Sequence, residues 1–278
     1  MRKPMPNIAV RALSGAVYVA LIVGCLLWNH SVAFSILMLV FSIFGAIEYG
    51  RMVPSPTRGL RIADAVAVIL PCVTVIMSAK ATGLTTTVPA LLAGAIVFLY
   101  PFARMGAQLF VKTPQPLERA ATSILGIYYI GVPLASAAFA ALLNPAVVLL
   151  MFVMIWLNDT GAYLVGCRFG RTKLFERISP KKTWEGAAGG ALFAMIAGVV
   201  APLLFDRISM GCVTGMLMGL AVCVASTIGD LVESMIKRQE GVKDSGKLIP
   251  GHGGILDRID SLLFTAPVTL VFILWLLR

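Results

Sequence analysis

An all-α polytopic membrane protein is the fold class this chain predicts, and three observations predict it. Hydrophobic residues make up 59% of the sequence and charged residues only 13%, against about 25% charged in a soluble domain. Mean hydropathy is +0.91. Apolar stretches recur along the whole length, each near the roughly 20 residues that cross a bilayer as a helix.

Nine such stretches follow in order: about 9–29, 31–50, 64–80, 86–103, 120–143, 145–166, 186–205, 210–237 and 261–277. The first has a basic start and an apolar run, as a signal peptide does. No small-x-small cleavage step follows it, so it reads as a retained anchor. Minimal turns at Asn29-His30 and Asn144-Pro145 join the first and second spans and the fifth and sixth. The third span is the weakest, because it contains Asp64 and Pro71. No polar stretch exceeds about 20 residues, well below the roughly 50 of an independent domain. The expectation is one integral membrane domain over 1–278, with spans one to five in 1–143. Spans six to nine and the chemically richer loops fall in 145–278.

Charge placement orients the bundle. With the N-terminus in the cytoplasm, all of the 23 Lys and Arg residues except Lys80, Arg207 and Arg278 fall on the cytoplasmic side. Enrichment of Lys and Arg there is what sets membrane topology. The net charge of +10 then follows from topology and from attraction to anionic lipid and substrate, and no nucleic-acid partner is expected. The five cysteines, at 25, 72, 167, 212 and 223, show no CxxC spacing and read as reduced packing residues.

The most chemically informative stretch runs from Ser226 to Ser261. Asp230, Glu233, Ser234 and Lys237 fall at i, i+3, i+4 and i+7, one polar stripe on an otherwise apolar helix. A carboxylate in such a helix is costly unless it pairs, binds metal or faces water. Arg238, Lys243, Asp244, Lys247, His252, Gly253 and Gly254 follow, then Asp257-Arg258-Ile-Asp260. Glycines expose backbone amides to phosphates, lysines neutralise them and aspartates hold Mg2+. The stretch reads as a site for metal-bound phosphates at a membrane surface.

A second loop is richer than topology requires. The sixth span ends in Trp156-Leu-Asn158-Asp159-Thr-Gly-Ala-Tyr163, and the loop runs on to Ser179-Pro-Lys181-Lys182-Thr-Trp-Glu-Gly186. Ser179-Pro180 predicts a helix start, with Ser as N-cap and Pro in the first turn. A lysine pair beside such a terminus suits a phosphate chain. Both loops follow even-numbered spans, so both face the cytoplasm and can form one site.

Each element alone has a plainer reading. Lys181-Lys182 is a common topological marker. Asp257-Arg258-x-Asp260 would pass as a surface salt-bridge cluster, and a loop histidine such as His252 is usually solvated. The ladder Gly211-xxx-Gly215-xxx-Gly219 fits close helix packing, within one chain or across a homodimer.

Together, Asp230-x-x-Glu-Ser-x-x-Lys-Arg, the Lys243-Asp-x-Gly step, His252-Gly-Gly-x-x-Asp-Arg-x-Asp, Ser179-Pro-Lys-Lys-Thr-Trp-Glu-Gly and Asn158-Asp159 resemble the phosphatidate cytidylyltransferases (CDP-diacylglycerol synthases). In spans one to five the resemblance is hydropathy and topology alone. It implies an integral membrane enzyme that makes CDP-diacylglycerol and pyrophosphate from CTP and phosphatidic acid with Mg2+. Carried over by position, the metal-site aspartates fall on Asp230 and Asp257.

The chemistry extends this set. Mn2+ would serve as a substitute hard cation, and Asp260 offers a further ligand or a place for a second cation. Lys237, Arg238, Lys243 and Arg258 are candidate phosphate clamps, as are Lys181 and Lys182. Asn158, Asp159, Ser234, His252, Gly253 and Gly254 are candidate substrate contacts. A bacterial inner membrane, with the site facing the cytoplasm, is the expected location. Two other classes compete. A CDP-alcohol phosphotransferase would show Asp-Gly and Asp-xxx-Asp, whereas here the spacing is Asp257-x-x-Asp260. An ion-coupled transporter would use Asp159, Asp230 and Glu233 at the midplane, yet the polar residues cluster on one face and no inverted repeat is visible.

Overall fold

A computed structural model of the chain describes residues 8–28, 31–53, 55–79, 84–208, 210–246, 248 and 253–277. His252, Lys247 and the Asn29-His30 turn lie outside them. The chain is almost wholly helical and divides into two compact units. Among the described residues seven helices are long and apolar enough to cross a membrane, which makes this an integral membrane protein.

The first unit comprises Met1–Ala138 with Asp244–Arg258. It contains α1 (Ile8–Leu27), α2 (Ser31–Met52), α3 (Arg58–Ala79), α4 (Leu84–Gln108) and α5 (Pro116–Gly126). A π-helical turn, Ile127–Gly131, then leads into α6 (Val132–Leu143). Helices α2, α3 and the π turn pack on one another. Pro71 breaks the ladder of α3, and Gly131 lies against that turn. A Cβ added at Gly131 would stand 3.2 Å from Pro71 Cγ.

Asp64 is tolerated in α3 because its carboxylate is fully engaged. It accepts from Tyr100 Oη at 2.6 Å, Arg104 Nε at 3.1 Å, Ser123 Oγ at 2.9 Å and Ser55 Oγ. Arg104 is 1% exposed and also donates to Gln108 Oε1 at 2.8 Å. By its position in the sequence Arg104 counts among the cytoplasmic loop charges. Instead it is the buried counter-ion of Asp64, and removing one partner of such a pair costs about 3–5 kcal/mol.

The second unit comprises Phe139–Lys243 with Ile259–Arg278. Helix α7 (Pro145–Phe169) starts where Asn144 Oδ1 accepts from Ala146 N and Val147 N, at 3.1 and 3.2 Å. This is the N-cap arrangement expected of Asn before Pro. An antiparallel hairpin of β1 (Lys173–Phe175) and β2 (Ser179–Thr183) follows. Next come α8 (Trp184–Leu204), α9 (Cys212–Gln239) and, from Ile259 on, α10 (Leu256–Leu276), whose first three residues belong to the first unit. The helix start that the sequence predicts at Ser179-Pro180 does not form. That segment is a strand paired with 173–175, and the N-cap is Thr183, whose Oγ1 accepts from Gly186 N at 3.2 Å. Two of the three ladder glycines meet α8 within this chain. A Cβ at Gly215 would stand 2.7 Å from Gly198 C, and one at Gly219 2.8 Å from Met195 Cα, while Gly211 faces open space.

Candidate active site

In the second unit α7, α8 and α9 converge on a cleft of about 360 Å3, lined among others by Asn158, Asp159, Lys181, Lys182, Ser226 and Asp230. Small residues bring its helices close together. A Cβ at Gly161 would lie 2.9 Å from Gly189 O, and one at Gly186 2.9 Å from Ala162 O. Helices α7 and α8 therefore approach at backbone distance, and polar groups from all three helices share a small volume. The hairpin is fastened across the top. Both Glu185 carboxylate oxygens accept amides of the 171–172 turn, with Arg171 N and Thr172 N at 3.1 Å. Lys181 and Lys182 on β2 thereby overhang the cleft.

The central contact is an ion pair. Lys182 Nζ lies 2.7 Å from Asp230 Oδ2, with side chains 28% and 38% exposed. Asp230 Oδ1 accepts from Ser234 Oγ at 3.3 Å. A pair this exposed is worth about 0–1 kcal/mol, so it can open for another partner. Asp260, on α10, is half-buried and within electrostatic reach of Asp230, Asp159 and Lys182. Asn158 is 3% exposed and its Nδ2 donates to Ser226 Oγ at 3.4 Å. Ser226 opens the predicted motif but was not singled out as a site residue.

The polar stripe of α9 forms as the spacing requires. Lys237 Nζ donates to Glu233 Oε2 at 2.7 Å, with Glu233 almost wholly buried. Lys237 therefore carries a carboxylate partner of its own. Arg238 and Lys243 are exposed.

Gly253, Gly254, Asp257 and Arg258 belong to the first unit. There Asp257 Oδ2 accepts from Ser245 N at 2.9 Å, Ser245 Oγ at 3.0 Å and Gly254 N at 2.8 Å. The Gly254 amide, expected to face a phosphate, is donated to this carboxylate. Gly253 has φ +87°, a left-handed conformation that glycine adopts without strain. Arg258 is exposed, and its carbonyl accepts from Tyr18 Oη at 3.1 Å.

Magnesium, which the resemblance implies, needs hard oxygen ligands. When it serves nucleotide chemistry it takes one or two carboxylates, and phosphates and water supply the rest. Among the described residues no cluster of three or more His, Cys, Asp or Glu groups offers a full protein cage. Asp230 is part-exposed and already carries a cationic group on one oxygen, with Asp260 in reach. This donor set fits a cation shared with substrate phosphates.

A sequence model described as the cytidylyltransferase family matches residues 9–276. The chain is 50% identical over 131 residues to the phosphatidate cytidylyltransferase of Synechocystis sp., covering 47% of this chain and 44% of that protein. It is 44% identical over 122 residues to that of Haemophilus influenzae, covering 43% and 42%. Against that of Bacillus subtilis it is 47% identical over 115 residues, covering 41% and 42%. The chain thus spans under half the length of these curated relatives.

Proposed function

This chain belongs to the cytidylyltransferase family, and from that premise we propose that it transfers the cytidylyl group of CTP to phosphatidic acid, releasing pyrophosphate. The observation that carries the reading is the Lys182–Asp230 pair at 2.7 Å in a cleft that also gathers Asp159 and Lys181. Such a cleft suits polyphosphate: exchangeable cationic groups stand beside a carboxylate that can share a cation. Family membership favours this reading over the CDP-alcohol phosphotransferase and the transporter.

The reaction needs little covalent chemistry from the protein. A phosphatidate oxygen forms a bond to the α-phosphorus while the bond to the bridging oxygen breaks, and that electron pair leaves with pyrophosphate. A phosphate monoester is largely doubly ionised near pH 7, its second pKa being about 6. No general base is then required, and the protein's task is positioning and charge neutralisation. Lys182 leaves Asp230 for the nucleotide phosphates, and Lys181 follows the same chain of charges. Asn158 and Ser226 present hydrogen-bonding groups at the cleft floor. Asp230, with Asp260, would hold Mg2+. Asp257 keeps the metal assignment of its motif as a proposal separate from its loop contacts. A Mg2+ held by Asp230 and Asp260 would supply Lewis-acid stabilisation of the leaving pyrophosphate.

We extend the proposal to nine membrane spans with a cytoplasmic N-terminus, in a bacterial inner membrane with the cleft facing the cytoplasm. The basis is the distribution of Lys and Arg. Purified protein with radiolabelled CTP and phosphatidic acid should move label into chloroform-soluble lipid. Label that stays aqueous would overturn the reading.

A further inference from the structure

The first unit contains a carboxylate that no motif points to. Glu48, on α2, is 3% exposed. Its Oε1 accepts from Ile255 N at 2.9 Å, and its Oε2 accepts from Leu256 N at 3.0 Å. Ser245 Oγ lies 2.9 Å from the same Oε2. Ile255 and Leu256 lie at the start of α10, where backbone N–H groups have no intrahelical acceptor. Such amides are ordinarily capped by a Ser, Thr, Asp or Asn just before the helix. Here the preceding residues are Gly253 and Gly254, which have no side chain to offer. The cap comes instead from a carboxylate 207 residues away in sequence.

Two further features fit the same contact. A Cβ at Gly246 would stand 2.9 Å from Glu48 Cδ, and one at Gly254 2.7 Å from the same atom. These loop glycines are therefore needed where the Glu48 carboxylate enters. Ser245 Oγ lies within hydrogen-bond distance of both Glu48 Oε2 and Asp257 Oδ2, at 2.9 and 3.0 Å. A hydroxyl has one proton to give, so the two carboxylates share it and their positions are linked.

We propose that Glu48 is a positioning residue for the transfer reaction: its buried carboxylate holds Ser245 and the Ile255 and Leu256 amides and so fixes Asp257 and Arg258 at the start of α10. Among the described residues, the hydrogen bonds of Glu48 run to Ser245 and to the start of α10. It acts through the placement of the residues that follow, in a region whose backbone would otherwise expose uncapped amides. The catalytic half of this inference rests on the cytidylyltransferase reading, while the structural half does not.

The test compares full-length wild type with Glu48→Gln, Glu48→Asp and Gly246→Ala. Two readouts are needed: steady-state kinetics in CTP and phosphatidate, and amide hydrogen exchange by segment. Glu48→Gln turns a double acceptor into a group whose NH2 faces an amide. It should speed exchange of 244–257 while α7–α9 keep their protection. It should also lower kcat about tenfold or more, about 1.4 kcal/mol of barrier, with both KM values moving less than about threefold. Glu48→Asp should recover part of the rate. Gly246→Ala, which pushes the carboxylate away without altering it, should reproduce the Gln phenotype. Unchanged exchange in 244–257 for Glu48→Gln would overturn the inference. So would faster exchange with an unaltered rate, or loss of protection throughout the chain. A wild type inert toward CTP would overturn the functional reading, and the exchange difference would still decide whether Glu48 holds the loop.

Discussion

Asp230 and Glu48 are both carboxylates on long apolar helices, and they are satisfied in opposite ways. Asp230 is partnered by the tips of two side chains, Lys182 and Ser234, and remains part-exposed. Glu48 is buried and partnered by two backbone amides and a loop hydroxyl. A flexible lysine can swing to a new anion at little cost. A helix-end amide cannot move without unwinding the helix. The first arrangement suits a group that changes partners during a reaction, and the second suits a group that holds a backbone still. Asp257 combines the chemistry assigned by its motif with the second kind of partner, since its Oδ2 accepts two amides and a hydroxyl.

The largest effect that would break this contrast concerns Asp230. Asp230→Asn should lower kcat/KM for CTP by about a thousandfold, about 4 kcal/mol of transition-state stabilisation. Its thermal stability should stay within about 1 kcal/mol of wild type, because the pair it loses is exposed. Activity within about tenfold of wild type would mean that the Asp230 charge is not used in the reaction.

Asp257→Asn sharpens the comparison from the other side. It should cost activity, about a hundredfold in kcat, and unlike Asp230→Asn it should also cost stability. Hydrogen bonds to a charged acceptor are worth about 1.5–3 kcal/mol each, and an amide NH2 turned toward Ser245 N or Gly254 N would repel it. A melting temperature several degrees lower, beside an unchanged one for Asp230→Asn, is the expected pattern. Equal melting temperatures would collapse the distinction between the two aspartates.

The sequence made some of this visible and hid the rest for physical reasons. Helix positions follow from apolar length, so α7, α8 and α9 begin and end within a few residues of the predicted spans. The polar stripe of α9 follows from the 3.6-residue period and appears as the Asp230–Ser234 and Glu233–Lys237 contacts. The loop carrying Lys181 and Lys182 was found as a cluster, and the structure brings Lys182 to Asp230 within one unit. The strand at Ser179–Thr183 is not legible in the sequence because local capping signals cannot reveal its partner strand at Lys173–Phe175. Glu48 was missed because its partners are backbone amides, which carry no residue signature. The available signal was its charge: a lone carboxylate within a predicted span must be satisfied by something. The same rule applied to Asp64, which the sequence marked as anomalous without identifying Arg104 as its counter-ion.

The smallest predicted effect separates the two lysines of β2. If Lys182 alternates between Asp230 and the nucleotide phosphates, Lys182→Ala removes a clamp and leaves Asp230 without its cation. Lys181 is exposed and lines the same cleft, with no ion pair to Asp230. It should act only as a surrounding charge, screened by salt over about 10 Å at 0.1 M ionic strength. Lys182→Ala should therefore raise KM for CTP about tenfold and Lys181→Ala about threefold, with KM for phosphatidate moving less in both. Raising the salt concentration should shrink the Lys181 effect and leave most of the Lys182 effect, since a 2.7 Å contact is far inside the screening length. Equal effects that vanish together in salt would reduce both residues to a general positive field. The exchange of partners at Asp230 would then have to be sought among Arg238 and Lys243. A change in protein level alone, with KM for CTP unaltered, would make the pair a topological marker.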